Sequence, residues 1–131
     1  TETGAESSIR ITLRWRDMDM LGHLNQAVYH ELLEEGRGAL LTSLEGGHFP
    51  FVLVRVELDY RHEVRRSDVF IDLRTFVQRV GRSSITVGQE ITLPDGTLAA
   101  SGTSVLVAWD PKARGSRPLS DLERKALSAG S

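Results

Sequence analysis

Cysteine is missing from the sequence altogether. Its absence excludes disulfides, thiolate zinc sites and a cysteine nucleophile, and it suits a reducing, cytoplasmic setting. Long apolar runs are missing too: none approaches the roughly 18 residues of a transmembrane span. The opening stretch TETGAESS is polar and lacks the basic-then-apolar order of a secretory leader. An excess of either charge is also lacking. Lys and Arg number 16 against 18 Asp and Glu, a formal net charge of -2. That balance gives no strong pull toward nucleic acid or an anionic membrane, and neither is expected as a partner. His30, His48 and His62 have no partner at metal-ligand spacing, so no metal site and no resident cofactor is expected.

What is present describes an ordinary folded domain. The composition is 40% hydrophobic and 26% charged, which argues against a disordered chain. A length of 131 residues predicts a single domain over 1–131, with residues 1–7 as a disordered tail.

Ile9 to Trp15 alternates apolar and polar and reads as a first strand. Ala27 to Leu44 carries helix formers and no proline. Val28, Leu32, Ala39 and Leu40 lie along one side of that helix and Tyr29, Leu33 and Leu41 along another. Glu31, Glu34, Glu35 and Arg37 fill only part of the circumference, which predicts a helix covered over much of its surface. Gly36 and Gly38 cost about 1 kcal/mol each relative to Ala, and their expected use is to let a neighbouring element come close. The stretch GGHFPF then breaks the helix. Four strand-like runs follow: VLVRVELDY, DVFIDLRTFV, SITVGQEITL and LAASGTSVLVAW. In the first, Val52, Val54, Val56, Leu58 and Tyr60 are expected on one face. VGRS and PDG mark short hairpins. Ser120 stands as an N-cap with Glu123 three residues on, which predicts a short terminal helix. The expected architecture is α+β, one long central helix wrapped by a curled five-stranded antiparallel sheet.

The chemistry-bearing residues crowd the step from strand to helix: Asp17, Asp19, Gly22, His23 and Asn25, with Tyr29, Glu34 and Arg37 beyond. This D-x-D-x-x-G-H-x-N-x-x-x-Y pattern, followed by E-x-x-R, resembles the hotdog-fold thioesterases of the 4-hydroxybenzoyl-CoA thioesterase type. VELDYRHEVRRSD, VQRVGRSSITVGQEI, DGTLAASGTSVLVAWD and RPLSD resemble later pieces of the same family, in the same order, over roughly residues 8 to 127. The resemblance implies hydrolysis of an acyl thioester of coenzyme A or acyl carrier protein, with coenzyme A present only as part of the substrate. It places the catalytic carboxylate at Asp19, with His23 and Asn25 beside it. It implies substrate contacts at Gln26 and Tyr29, and coenzyme A contacts at Arg82, Ser83 and Ser84, where Arg can pair with phosphate. It also implies a homodimer or homotetramer.

The same residues make sense without the family. A thioester carbonyl needs donors aimed at its oxygen, and the free N–H groups of a helix start supply them. Water needs a base, or the carbonyl a nucleophile, and a carboxylate just before the helix can be either. Plainer readings stand beside these. Asp19 could simply cap the turn. Asp17 reads as an Asx-turn former, Asn25 as the helix N-cap and Tyr29 as a pocket wall. His23 orients Asp19 or the substrate, or is satisfied by the protein. Glu34 and Glu35 are rival carboxylates on the helix. Arg61, Arg65 and Arg66 read as a solvated turn.

Three departures from the family pattern stand out. Leu21 replaces the Asn of the plant acyl-carrier-protein branch, Glu63 stands where a Pro is frequent, and Ser67 where a Gly is. A hydratase or dehydratase of the same fold is the alternative enzyme, but its G-D-x-N-P-x-H pattern is absent. A non-catalytic acyl-CoA binder is the third possibility.

Overall fold

The computed structural model describes residues 4–44 and 50–128. Strand β1 (Glu6–Thr12) leads to helix α1 (Gln26–Ser43), then to β2 (Phe51–Tyr60), β3 (Phe70–Val80), β4 (Ser84–Thr92) and β5 (Leu98–Asp110). A two-residue strand β6 (Gly115–Ser116) and helix α2 (Asp121–Ser128) follow. The strands form one antiparallel sheet in the order β1-β3-β4-β5-β2, and β6 pairs with β5. The sheet thus has six strands, not five, because the turn after β5 doubles back to pair Trp109 with Ser116. Among the described residues no helix is long and apolar enough to cross a membrane.

The inward-facing side chains of the sheet meet α1 in two apolar blocks. Near the start of the helix Tyr29, Leu32 and Leu33 pack with Ile71, Leu73, Ile91 and Ala100. Near its end Leu40 and Leu44 pack with Val77, Ile85, Val87 and Leu106. Each fully buried Leu, Ile or Val contributes about 1.5–3 kcal/mol. Between the blocks lies a polar belt. Arg37 Nη1 donates to Gln89 Oε1 and Ser104 Oγ, both at 3.2 Å. Gln89 Nε2 donates to the Leu33 carbonyl and to Thr75 Oγ1, both at 3.0 Å. The buried residues of α1 therefore form one stripe, Tyr29, Leu32, Leu33, Gly36, Arg37 and Leu40, rather than two apolar sides. Arg37, expected on the polar side, is inside.

Local signals set the ends of the elements. Asn25 Oδ1 accepts from the Ala27 N–H at 2.9 Å, so the expected N-cap is present. Gly96 takes φ +90 in the PDG turn, a conformation that glycine adopts without strain. The capping box of α2 is complete: Glu123 N donates to Ser120 Oγ at 3.1 Å and Ser120 N to Glu123 Oε1 at 2.8 Å. Arg117 holds both Glu123 oxygens at 2.7 Å.

Three expectations are corrected. Strand β1 begins at Glu6, not Ile9, and Ala5 is buried; its N–H donates to the Leu127 carbonyl at 3.0 Å. Residues 4–7 are therefore no tail, and residues 1–3 lie outside the described residues. The strand ends at Thr12, and Trp15, 78% exposed, opens a single 3-10 turn, Trp15–Asp17. In β2 the register shifts between Leu53 and Arg55, which makes Val54 the extra residue of a bulge. Phe51 and Leu53 then share a face with Val56, Leu58 and Tyr60, opposite Ala108, Leu106, Ser104, Gly102 and Ala100, while Val54 is 57% exposed. Most of the helix-breaking GGHFPF segment, including His48, falls outside the described residues.

The two helix glycines serve different ends. A Cβ on Gly36 would lie 2.7 Å from Leu73 Cδ2 and from Thr75 Oγ1, and 2.9 Å from Gln89 Nε2. Those three residues are themselves buried, so none has room to retreat. A Cβ on Gly38 would meet nothing within 4 Å. Gly36→Ala is expected to destabilise the fold by about 1–3 kcal/mol through overpacking. Gly38→Ala is expected to stabilise it by about 1 kcal/mol through helix propensity. Urea unfolding of the two variants checks this, and equal effects at both positions would remove the close-approach account.

Candidate active site

The loop between β1 and α1 is tied down by its first acid. Asp17 is buried at 2% exposure. Its Oδ2 accepts from the Arg14 N–H and its Oδ1 from Arg14 Nη2, both at 2.8 Å. Its carbonyl accepts from the Asn25 N–H at 2.8 Å. Burial pushes the Asp17 carboxyl up, but the hydrogen bonds and charge of Arg14 outweigh it, and the group rests below the usual carboxylate range. Asp17 thus holds the loop, though not through the expected Asx-turn: its carboxylate reaches back to Arg14, and the bond to the N–H two residues on is made by Asp19 instead.

Asp19 closes the next turn. Its N–H donates to the His23 carbonyl at 2.8 Å, and its carbonyl accepts from the Gly22 N–H at 3.1 Å. Gly22 supplies the required left-handed backbone, φ +78. Asp19 Oδ1 accepts from the Leu21 and His23 N–H groups at 2.9 and 3.1 Å. Among the described residues Asp19 Oδ2 accepts nothing. One oxygen of Asp19 therefore holds the turn and the other is left for chemistry, so the capping and catalytic readings are both accommodated. The loop is then pinned to the connection after β2: Leu24 N–H donates to the Val64 carbonyl at 2.7 Å, and His23 and Arg65 form an antiparallel bridge.

The helix start presents fewer free donors than a bare terminus. Asn25 engages the Ala27 N–H with its side chain and the Val28 N–H with its carbonyl. The Gln26 N–H, among the described residues, donates to no protein acceptor. It is the donor that remains for an oxyanion.

A pocket of ≈ 330 Å³ is lined by Asp19, His23, Gln26, Tyr29, Tyr60 and Glu63, among others. The Tyr29 and Tyr60 rings meet edge to face, centroids 4.9 Å apart. Burial, with Tyr60 adding to it, pushes the Tyr29 phenol up to about 12, and the residue lines the pocket. On its other side Asp19 faces an apolar groove of ≈ 700 Å³ lined by Trp15, Met18, Met20, Asn25 and Arg66. The Asp19 carboxylate stands at the junction of the two. Exposed Met20 and Leu21 flank it.

Of the predicted site residues, Asp19, His23, Asn25, Gln26 and Tyr29 come together. Arg82, Ser83 and Ser84 do not join them within one chain. They lie at the far end of the sheet, where the Arg82 carbonyl accepts from the Leu119 N–H and the Ser83 carbonyl from the Ala108 N–H. Glu34 and Glu35 are exposed on α1 and line neither cavity. Tyr60, His62 and the exposed Trp15 were not singled out as site residues. Tyr60 and His62 have no local mark, because the sheet order brings them in, whereas Trp15 lies in the same loop as Asp19 and is masked by the alternation that assigns it to the first strand. Glu63 carried a signal, the departure from Pro. Among the described residues no group of three or more His, Asp or Glu side chains could hold a metal ion.

Comparison with known proteins gives a consistent result. Residues 13–127 match the model of the thioesterase-like superfamily. The chain is 31% identical over 110 residues to the long-chain acyl-CoA thioesterase FadM of Escherichia coli K12, covering 79% of this chain and 83% of that protein. Its fold is similar to that of a thioesterase from Thermus thermophilus solved in complex with coenzyme A and Zn. The TM-score is 0.82 at 30% identity, over 92% of this chain and 90% of that one.

The division of labour between the two acids can be tested on folding alone. Asp17→Asn is expected to cost about 1–3 kcal/mol at neutral pH, because a buried, charge-assisted set of hydrogen bonds is broken. The folded-state carboxyl rests below its unfolded value, so its contribution is full above about pH 4 and is lost as pH falls further. The stability gap between wild type and Asp17→Asn should therefore close in acid. A gap that is constant from pH 7 to pH 3 would mean that the charge on Asp17 is not what holds the loop.

Proposed function

The chain belongs to the thioesterase-like superfamily, and from that premise we propose that it hydrolyses an acyl thioester of coenzyme A, or of acyl carrier protein, to the free acid and the thiol. The observation that carries the mechanism is the pairing of one uncommitted carboxylate oxygen, Asp19 Oδ2, with one uncommitted helix-start donor, the Gln26 N–H, on the same pocket. The carbonyl oxygen accepts from Gln26 N–H, with the α1 dipole behind it. Asp19 then acts as general base on water or attacks the carbonyl itself. With Asp19 as base, a water oxygen bonds to the carbonyl carbon, its proton passes to Asp19, and the C–S bond breaks with the sulfur leaving as thiolate. With Asp19 as nucleophile, the thiolate leaves behind an acyl anhydride on Asp19, which a water then hydrolyses to the free acid and the carboxylate. The apolar groove beside Asp19 offers Trp15, Met18 and Met20 to an acyl chain, which agrees with the long-chain substrate in the name of the Escherichia coli relative. No step calls for a metal or a resident cofactor.

The same reading takes the fold as a hotdog, with α1 as the central helix and the sheet wrapped around it. It also takes the working unit as a homodimer. The sheet ends in two edges, β1 and β2. Unpaired edges are normally covered, and β2 is the longer, with Leu53 and Val54 exposed along it. A two-fold axis across β2 would run the two edge strands antiparallel. Val52 lies level with Val107 and Ser84, and Tyr60 level with Ala100 and Ile91. The pairing would therefore set one subunit's Arg82–Ser84 hairpin at the end of the sheet that carries the other subunit's Asp19 pocket. That is the arrangement in which Arg82 could reach a coenzyme A phosphate.

Asp19→Asn keeps the turn's hydrogen bonding and removes the basicity. Its kcat on a panel of acyl-CoA thioesters should fall on the order of 10²-fold or more, with KM little changed and the melting temperature near that of wild type. Thiol release measures this, and enoyl-CoA hydration assayed alongside separates a hydrolase from a hydratase. Full turnover by Asp19→Asn, with loss in Glu34→Gln or Glu35→Gln, would move the carboxylate to the helix.

The assembly has its own check. Wild type should sediment as two chains at micromolar concentration, and a Leu53→Arg/Val54→Arg variant as one. A wild type that sediments as one chain would defeat the dimer, and with it any contribution of Arg82 to the site.

A further inference from the structure

We propose that Glu63 is a positioning residue for His23, holding its ring in the tautomer that carries the proton on Nε2 and presents Nδ1 to the bound thioester. The proposal rests on the thioesterase reading above for its consequence, though not for its geometry. His23 Nε2 lies 2.6 Å from Glu63 Oε1, and both residues line the Asp19 pocket. An ionised carboxylate only accepts, so the nitrogen facing it must carry a hydrogen. The other ring nitrogen, Nδ1, is then the one left for substrate or water.

Glu63 is itself fixed. Its Oε2 is held by Arg65 Nε at 3.3 Å, and its carbonyl accepts from His62 Nδ1 at 2.7 Å. The backbones of the two partners cannot drift apart. The bridge between His23 and Arg65 and the bond from Leu24 N–H to the Val64 carbonyl pin them on either side. The other charged residues lining the pocket are Asp19 and Arg61, and among the described residues the carboxylate that pairs with Nε2 is that of Glu63.

The pair is poorly suited to holding the fold together. The His23 and Glu63 side chains are 41% and 39% exposed, and ion pairs so open to water add little to folding. The fold's own needs are met by Asp17, which is buried. A carboxylate with ionic partners on both oxygens at the rim of a pocket, one of them the imidazole within the Asp19 turn, does more for the orientation of that ring than for stability.

Three variants and one spectrum test this. Glu63→Ala should lower kcat/KM on the order of tenfold without moving the melting temperature. Glu63→Gln, which keeps an acceptor, should recover most of that loss. In a His23→Ala background Glu63→Ala should add nothing further, because the two act through one ring. Nitrogen NMR of the His23 ring, at a pH where it is neutral, should show the Nε2–H tautomer in wild type and Glu63→Gln, and a mixture in Glu63→Ala. Full activity in Glu63→Ala or His23→Ala, an undiminished loss in the double variant, or a tautomer unmoved by Glu63→Ala would each overturn the assignment. A wild type that releases no thiol from any acyl-CoA would instead sink the thioesterase reading, and the ring spectrum would still decide the pairing.

Discussion

A guanidinium lodged midway along the contact between helix and sheet governs this structure. Arg37 is only 7% exposed, and its hydrogen-bond partners, Gln89 and Ser104, are neutral. Burial draws its pKa down from the usual guanidinium range, with the charge of Glu34 partly opposing this, yet an arginine stays charged. A buried ion costs several kcal/mol unless its hydrogen bonds are satisfied, so α1 has few alternatives to the position that satisfies it. One residue earlier, Gly36 removes the side chain that would hold helix and sheet apart. The two features together set how far along the sheet α1 sits and which way it is turned. The helix start then has a fixed place, and the loop that ends in Asn25 inherits it.

The loop commits most of its few polar groups to its own shape. Asp17 is engaged on both carboxylate oxygens, Asn25 on its side-chain and backbone oxygens, and Asp19 on its carbonyl and only one carboxylate oxygen. What remains is one carboxylate oxygen and one helix-start N–H, the complement an acyl transfer requires. A site built this way needs no strained residue of its own. Gly22 absorbs the one left-handed position in the turn. The strain found nearby is at Val69, whose φ of 71 ends the 3-10 turn Arg66–Asp68, in a conformation that a β-branched residue seldom takes.

What could be read from the sequence was what short-range chemistry decides. The Asn25 cap, the Ser120–Glu123 box and the PDG turn depend on residues a few positions apart, and each is where the pattern placed it. The strands could be read because alternation has a period of two. That same period hid the bulge: one extra residue at Val54 reverses the parity of Phe51 and Leu53, and no local signal announces it. Arg37 was equally illegible. A charged residue on a helix defaults to the water side, and only the neutral acceptors gathered from β4 and β5 make its burial tolerable. The candidate site was legible where it is contiguous, in the grouping of Asp19, His23, Asn25, Gln26 and Tyr29 around one turn and helix start. It was illegible where the sheet order supplies it, at Tyr60 and His62. Arg82 differs again: the topology of one chain puts it at the other end of the molecule from Asp19, so only an assembly of two chains could join the two, and assembly leaves no mark in local sequence.

The chain holds two tryptophans, and the fold has sent them to opposite ends. Trp15 stands open to solvent at the lip of the apolar groove, with the Arg66 guanidinium 5.9 Å from its ring centroid. Trp109 lies near the end of β5, its N–H bound to the Pro50 carbonyl and its neighbours drawn from β6. Their emission therefore reports two separate events. Light from Trp15 is sensitive to whatever enters beside Asp19, while light from Trp109 registers the integrity of the far end. Occupancy and unfolding can be followed in one cuvette without attaching a dye.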